Sequence, residues 1–253
     1  MKMHFLSGGR VRMRMATFIP DADRSEMIEL PVISTLLHHT QGNVLFDTGC
    51  HPSVVDDPAA RWGGLAKIMT PIMPRNENVL TGLAAIGMQP GDIDVVICSH
   101  LHPDHCGCNA FFKRATVIVQ ARDVAAARAP DAEKFGFLSG EWDVGLPLDE
   151  IEGQRDLFGD GRIVLIPLPG HTPGSMGALV ALEHDGQFLL AADTVTLRSS
   201  LDTGVHPKNV QDHDALDRSF AEIRRIEAGG ATVICGHDDA QWQTLRKGAD
   251  AYE

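Results

Sequence analysis

Tyrosine is almost missing from this chain: of 253 residues one is tyrosine, Tyr252, and aromatic residues make up 6%. Long apolar runs are missing too. No stretch approaches the roughly 20 residues that a membrane-spanning helix needs. The opening MKMHFLSGGRVRMRM has no apolar core followed by a cleavage site, so a cytoplasmic address is the expectation. There is no basic run, and the formal net charge is −12. Nucleic acid and anionic membranes attract basic surfaces, so neither is expected as a partner. Cysteine is sparse and odd in number: Cys50, Cys98, Cys106, Cys108 and Cys235. An odd count without an export signal argues against a disulfide framework. Cys106 and Cys108 stand two apart, which is not the Cys-x-x-Cys spacing of a zinc knuckle. They read as small packing residues rather than soft ligands or redox thiols.

Hydrophobic residues, in contrast, make up 43%, enough for a full core, and the length fits one domain over 1–253. The runs PVISTLLHH (31–39) and NVLFDTG (43–49) predict strands. A loop-rich stretch comes after them, with Pro58, Gly63, Gly64, Pro71 and Pro74; Trp62 in it marks a loop that covers substrate or serves a homodimer. NVLTGLAAIGM (78–88) has helical spacing, DVVICSH and TVIVQ (116–120) predict buried strands, and ARDVAAARA (121–129) predicts a helix. RIVLIPLPGH (162–171), SMGALVALE (175–183), QFLLAAD (187–193) and ATVICGH (231–237) predict further strands. DALDRSFAEIRRIEA (214–228) is the clearest helix, with Leu216, Phe220, Ile223 and Ile226 on one face. This alternation predicts an α/β layered fold with sheets inside and helices outside.

Four of the apolar runs end in a metal-seeking residue: VVICSH at His100, VLIPLPGH at His171, FLLAAD at Asp193 and TVICGH at His237. Sites in α/β folds gather in the loops beyond strand ends, so four such strands would assemble one site from distant sequence. The first of these runs into His100-Leu101-His102-Pro103-Asp104-His105. His100 and His102 alternate and can reach one metal; Asp104 and His105 can turn toward a second. Asp193 has two oxygens with which to bridge them. Two ions about 3.5–4 Å apart share a hydroxide that is nucleophilic at neutral pH. The donors are imidazoles and carboxylates, which suit an open hydrolytic site better than a closed, cysteine-rich structural one.

The set HLHPDH (100–105), PGHTPG (169–174), AAD (191–193) and GHD (236–238), with DTG (47–49) upstream, resembles the metallo-β-lactamase superfamily. SHLHPDHCGCNAFF and the ending ATVICGHDDAQWQTLRKGADAYE are similar to the N-acyl-homoserine lactonase group, and DPAARWGG (57–64) is similar to a segment of its γ-butyrolactone-hydrolysing members. The resemblance implies an αβ/βα four-layer sandwich with two divalent metal ions at one edge, zinc first, with iron, manganese or cobalt also suited. It implies that His100, His102 and His171 hold one ion, that Asp104, His105 and His237 hold the other, and that Asp193 bridges. It implies Asp104 as the acid that protonates the departing ring oxygen. Asp47 matches the DTG aspartate; it either orients ligands through hydrogen bonds or accepts backbone N–H groups in a turn before Gly49.

One position departs from the group. Its members carry a tyrosine three residues after the bridging aspartate, which helps hold the substrate carbonyl; here Thr196 stands there. Thr196 is therefore the candidate substrate contact. The activity expected is hydrolytic opening of a lactone ring, an N-acyl-homoserine lactone or a small γ-lactone, by attack of the shared hydroxide. Thr196 keeps a thioesterase, arylesterase or phosphotriesterase on the same scaffold as the alternative. His206 and His213 come after Asp193 and are left outside the site.

Overall fold

The opening segment, in which the sequence pattern shows no element, is the longest strand together with its partner. In the computed structural model, which describes residues 1–253, it forms β1 (Lys2–Arg14). It pairs antiparallel with the equally long β2 (Met27–His39), which in turn pairs with β3 (Gly42–Phe46). With the two-residue β4 (Thr70–Pro71), β5 (Val95–Ile97), β6 (Thr116–Gln120) and β7 (Leu148–Ile151), they form a seven-stranded sheet ordered β4-β1-β2-β3-β5-β6-β7. The strands β3, β5, β6 and β7 run parallel. A second sheet holds β8 (Arg155–Asp156), β9 (Ile163–Pro167), β10 (Met176–Ala181), β11 (Gln187–Ala192) and β12 (Thr232–Cys235), ordered β12-β11-β10-β9-β8.

Period-two alternation sends side chains of each strand to both faces, and both faces are covered. Ile97 and Ile118 point between the sheets, where they meet Leu165, Val180 and Leu190 of the second sheet. Val96, Val117 and Val119 point outward. There they pack with α2 (Val79–Ala85), α4 (Ala121–Ala127) and α5 (Ser139–Trp142); the short α1 (Pro58–Trp62) and α3 (Pro103–Cys106) complete this half. On the other side, α6 (Arg198–Thr203) and the amphipathic α7 (His213–Ala228) cover the second sheet, with Phe220, Ile223 and Ile226 against Leu189 and Val233. The last helix, α8 (Asp239–Thr244), seats Trp242 in the intersheet core. The layers are thus helices, sheet, sheet, helices, as expected for an αβ/βα sandwich. Beyond β1, the sequence pattern also passes over β7 and β8, which are short and only partly buried.

A bulge in β1 turns the second half of that strand to a new face. The register slips between Ser7 and Gly9, so Gly8 is the extra residue. Before it, Met3 and Phe5 face the intersheet core. After it, Val11 faces the opposite side, together with Leu30, Val32 and the buried Trp62. Val11 and Leu30 there form part of the wall of a cavity.

Candidate metal centre

Every strand that ends in a ligand-type residue ends on the same side. β5 runs parallel to β3, so His100 and the DTG turn at Asp47 emerge together. β11 and β12 are parallel, and β9 shares their direction because β10 reverses twice between them. His171, Asp193 and His237 therefore emerge together as well. Pro103 opens α3 directly after His102, and this single turn swings Asp104 and His105 back toward the other ligands.

The side chains form two groups and a link. His100, His102 and His171 make one group; Asp104, His105 and His237 make another; His100, His105 and Asp193 connect them, and the ligand atoms within each set lie within 4.8 Å of one another. Asp193 faces both groups: its Oδ2 is 3.5 Å from His171 Nε2, and its Oδ1 is 2.9 Å from His237 Nε2 and 3.4 Å from His105 Nε2. Asp104 Oδ2 stands 3.5 Å from His237 Nε2 and 3.6 Å from His105 Nε2.

The outer nitrogens of four of the five imidazoles are used up, which aims the inner ones. His237 Nδ1 donates to Pro31 O at 2.7 Å, and His105 Nδ1 donates to Asp47 Oδ2 at 2.8 Å. His100 Nδ1 donates to Ser99 Oγ at 3.0 Å, and that hydroxyl donates to Asp47 Oδ2 at 2.7 Å. His102 is turned the other way: its Nε2 donates to Phe135 O at 2.8 Å, leaving Nδ1 at 3.1 Å from His171 Nε2. Three inward atoms, His100 Nε2, His105 Nε2 and Asp193 Oδ1, are buried without a hydrogen-bond partner. Buried polar atoms are normally satisfied, and each orphan costs about 1–3 kcal/mol. Orphaned imidazole and carboxylate atoms converging on one gap fit a pair of divalent metal ions.

The electrostatics divide the ligands into two sets. Burial opposes ionisation of Asp193, but His237 and His105 override it and hold its carboxyl well below the usual range. Burial, then repulsion from His105, His102 and His171, keeps His100 neutral, and burial brings His171 down to about 3. Neutral imidazole is the form that binds metal. Against the same burial, Asp104 and Asp193 push His105 up, and Asp193 pushes His237 up.

Asp47 is placed for the first of its two alternatives, hydrogen bonds to ligands: it meets His105 Nδ1 directly and His100 through Ser99. The backbone N–H it accepts, from Ser99 at 2.7 Å, comes from the segment after β5 and not from its own turn. Ser99 and Asp123 are functional residues that sequence reading passed over. Fully buried Asp123 accepts from Leu101 N at 2.7 Å, Thr172 Oγ1 at 2.5 Å and Gly174 N at 3.3 Å. It thus ties the loop of His100 and His102 to the loop of His171. A carboxylate at the start of a helix after a buried strand was the available signal.

Thr196 is placed differently from its expected role as a substrate contact. It is buried, its hydroxyl donates to Asp193 O at 3.2 Å, and it is absent from the cavity wall. The short side chain reaches its own backbone turn before it can reach the cavity. All five cysteines are free and buried; Cys106 Sγ and Cys108 Sγ donate to the carbonyls of His102 and Cys50, and burial pushes both thiols up. They are packing groups beneath the ligands. His206 and His213 pair with each other and Asp217, away from the ligand groups.

Above the ligands opens a cavity of about 400 Å³, with Asp104, His171, Asp193 and His237 on its floor. Val11, Phe18, Leu30, Leu65, Ile68 and Met69 form an apolar wall, and Lys208, Asn209 and Gln211 a polar one. Leu65 and Met69 belong to the segment after Trp62, which is buried and anchors the wall from behind.

Comparison with known proteins agrees with this geometry. The profile of the metallo-beta-lactamase superfamily matches residues 27–237. The N-acyl homoserine lactonase AttM of Azorhizobium caulinodans is 29% identical, covering 100% of this chain and 98% of its own. The N-acyl homoserine lactonase AiiB of Agrobacterium fabrum is 31% identical over 90% of this chain and 87% of its own. A solved N-acyl homoserine lactone hydrolase, with the product N-hexanoyl-L-homoserine at its catalytic metal centre, superposes with a TM-score of 0.89 at 24% identity, covering 99% of this chain and 98% of that one. With its ligand motifs, its two sheets and its outer helices all in register with that superfamily, the chain belongs to the metallo-β-lactamase superfamily.

Proposed function

We propose that the protein is a dinuclear metal-dependent lactonase that opens an N-acyl-homoserine lactone or a related small lactone. The observation that carries this is Asp193, whose two oxygens face two separate ligand groups on the floor of a largely apolar cavity. The three-histidine group would hold one ion and the Asp104–His105–His237 group the other. Two divalent ions bound there supply Lewis acidity toward the carbonyl and a water activated at neutral pH. In the net reaction the ester C–O bond of the ring breaks, water's OH goes to the acyl carbon and its proton to the ring oxygen. Asp104, whose carboxylate borders the cavity, would take that proton from the water and pass it to the departing ring oxygen. Asp47 and Ser99 hold two imidazoles in one orientation, so the ligands need no rearrangement.

AttM and AiiB are both named N-acyl homoserine lactonases, which supports the substrate class. Zinc heads the metals on the donor set, ahead of iron, manganese and cobalt. The reading takes residues 1–253 as one domain with a cytoplasmic address and extends to a homodimer. No helix is long and apolar enough to cross a membrane. The test is a pH-stat panel: acyl-homoserine lactones, γ-butyrolactone, an aryl ester and a thioester, before and after chelation and metal reloading. Ring opening that disappears on chelation and returns with metal is expected, and Asp193→Ala should lose at least one equivalent of metal together with the activity. Hydrolysis of the thioester or aryl ester with no lactone opened would overturn the reading.

A further inference from the structure

Two stretches of chain that carry no metal ligand complete the cavity. The one after α1 supplies Leu65, Ile68 and Met69 to its lining, and the one before α5 supplies Lys134, Phe135 and Gly136. Each keeps one large apolar side chain of the lining partly in solvent, so that it marks the rim: Ile68 is 61% exposed and Phe135 48%. Such side chains gain by giving up their water to an apolar ligand.

The stretch before α5 is fixed to the metal centre. His102 Nε2 donates to Phe135 O at 2.8 Å, and α5 packs against α3, which bears Asp104 and His105. The stretch after α1 reaches this support through one hydrogen bond, in which Arg61 Nη2 of α1 donates to Glu141 Oε2 of α5 at 2.8 Å. Glu141 is buried, and the guanidinium of Arg61 engages nothing else, its Nε being buried without a partner. Neither side chain lines the cavity. A buried ion pair often adds little stability over an apolar pair of the same shape, but the planar guanidinium makes a directional contact that fixes how two segments meet.

We infer that Arg61 and Glu141 are a positioning pair that holds the stretch of Ile68 against the stretch of Phe135, and thereby sets a preference for long over short acyl chains. This rests on the lactonase reading and assigns its chain-length preference. With the ring on the cavity floor, a short chain ends inside the cavity, whereas a long one reaches the rim and covers Ile68 and Phe135. Slackening the pair therefore weakens binding of the long chain and leaves the chemistry at the floor alone.

The experiment uses the metal-loaded full chain, N-butanoyl- and N-dodecanoyl-homoserine lactone, and the variants Arg61→Met, Glu141→Gln and Ile68→Ser. Arg61→Met, which keeps an apolar stem without the guanidinium, should raise KM for the dodecanoyl lactone about tenfold, the loss of about two methylenes' burial. KM for the butanoyl lactone and kcat for both should stay within about twofold. Ile68→Ser, at an exposed position, should give the same selective rise. Glu141→Gln, which still accepts from Arg61, should stay within about threefold of wild type. Acrylamide quenching of tryptophan fluorescence should increase in Arg61→Met but not in Ile68→Ser, because Trp62 and Trp142 adjoin the pair in sequence, and metal content should be unchanged in both. Should Arg61→Met fail to fold, Arg61→Met/Glu141→Leu, which leaves no charge unpaired, is read in its place. A KM that rises equally for both substrates, a rise below about twofold for the dodecanoyl lactone in Arg61→Met or Ile68→Ser, or a Glu141→Gln that loses as much as Arg61→Met overturns the inference. If wild type opens neither lactone, the lactonase reading itself falls, an outcome distinct from these.

Discussion

Two side chains separate the effects of position and of chemistry at the residue scale. Thr196 stands at the position expected to contact substrate, yet its hydroxyl ends on the carbonyl of Asp193. Thr196→Val should therefore cost about 1 kcal/mol of stability or less, and kcat/KM on a lactone should stay within about threefold; a larger drop with metals retained would mean that the hydroxyl reaches substrate. Asp123 acts at a distance from the cavity through the loops it joins. Burial raises its carboxyl to about 6 in the folded chain against an ordinary value of 3.8. A raised carboxylic acid binds its proton more tightly in the folded state, so its contribution to stability falls as pH rises from 3.8 to about 6. Chemical denaturation of metal-free protein at several pH values should show wild type losing about 3 kcal/mol relative to Asp123→Asn between pH 4 and 7. The same variant should bind metal more weakly, because an amide cannot accept all three of the hydrogen bonds that Asp123 receives.

At the scale of elements, turns and bulges do what strands alone cannot. Gly8 in the β1 bulge and Gly49 of the DTG turn touch backbone to backbone: a Cβ on Gly49 would stand 2.4 Å from Gly8 Cα, and Gly49 has φ of +72°. That contact seats Asp47, two residues earlier, under His105 and Ser99. Gly49→Ala should destabilise by at least about 2 kcal/mol and weaken metal binding together with it. Asp212 is the contrasting case. It caps α7 by accepting the Ala215 N–H at 2.9 Å, and α7 lies behind the second sheet. Asp212→Ala should cost about 1 kcal/mol with metal content unchanged; equal metal loss in both variants, read by elemental analysis, would deny the special place of the DTG turn. The helical spacing of Leu216, Phe220, Ile223 and Ile226 made α7 legible residue by residue, because its burial face matches the sequence period. β1 was illegible for the opposite reason: the bulge moves Val11 to the other face from Phe5, so no single alternation runs through it.

Across the whole molecule, the ligands come from both sheets: the loop after β5 on one side, and the ends of β9, β11 and β12 on the other. Metal binding therefore crosslinks the two halves of the sandwich. A ligand that binds only the folded state adds about 4 kcal/mol when present at 1,000 times its Kd. For a chain of this size about 4 kcal/mol corresponds to a Tm shift of roughly 10 °C. Calorimetry before and after chelation should show a fall of that order, restored by metal; a Tm indifferent to chelation would mean that the sheets hold together without the centre's help.

The sequence by itself determined the ligand types, their attachment to strand ends and the layered α/β class, because strand and helix periods and the His-x-His-x-Asp-His spacing are local properties of the chain. It also carried the seven ligand candidates, which the fold brings to one place. Tertiary structure alone decided the rest. That Ser99 relays His100 to Asp47, that Asp123 joins the loop of Leu101 to the loop of Thr172, and that Thr196 stands outside the cavity wall, all depend on contacts between distant segments. Such contacts arise from packing and backbone geometry in three dimensions, and no periodicity along the chain encodes them.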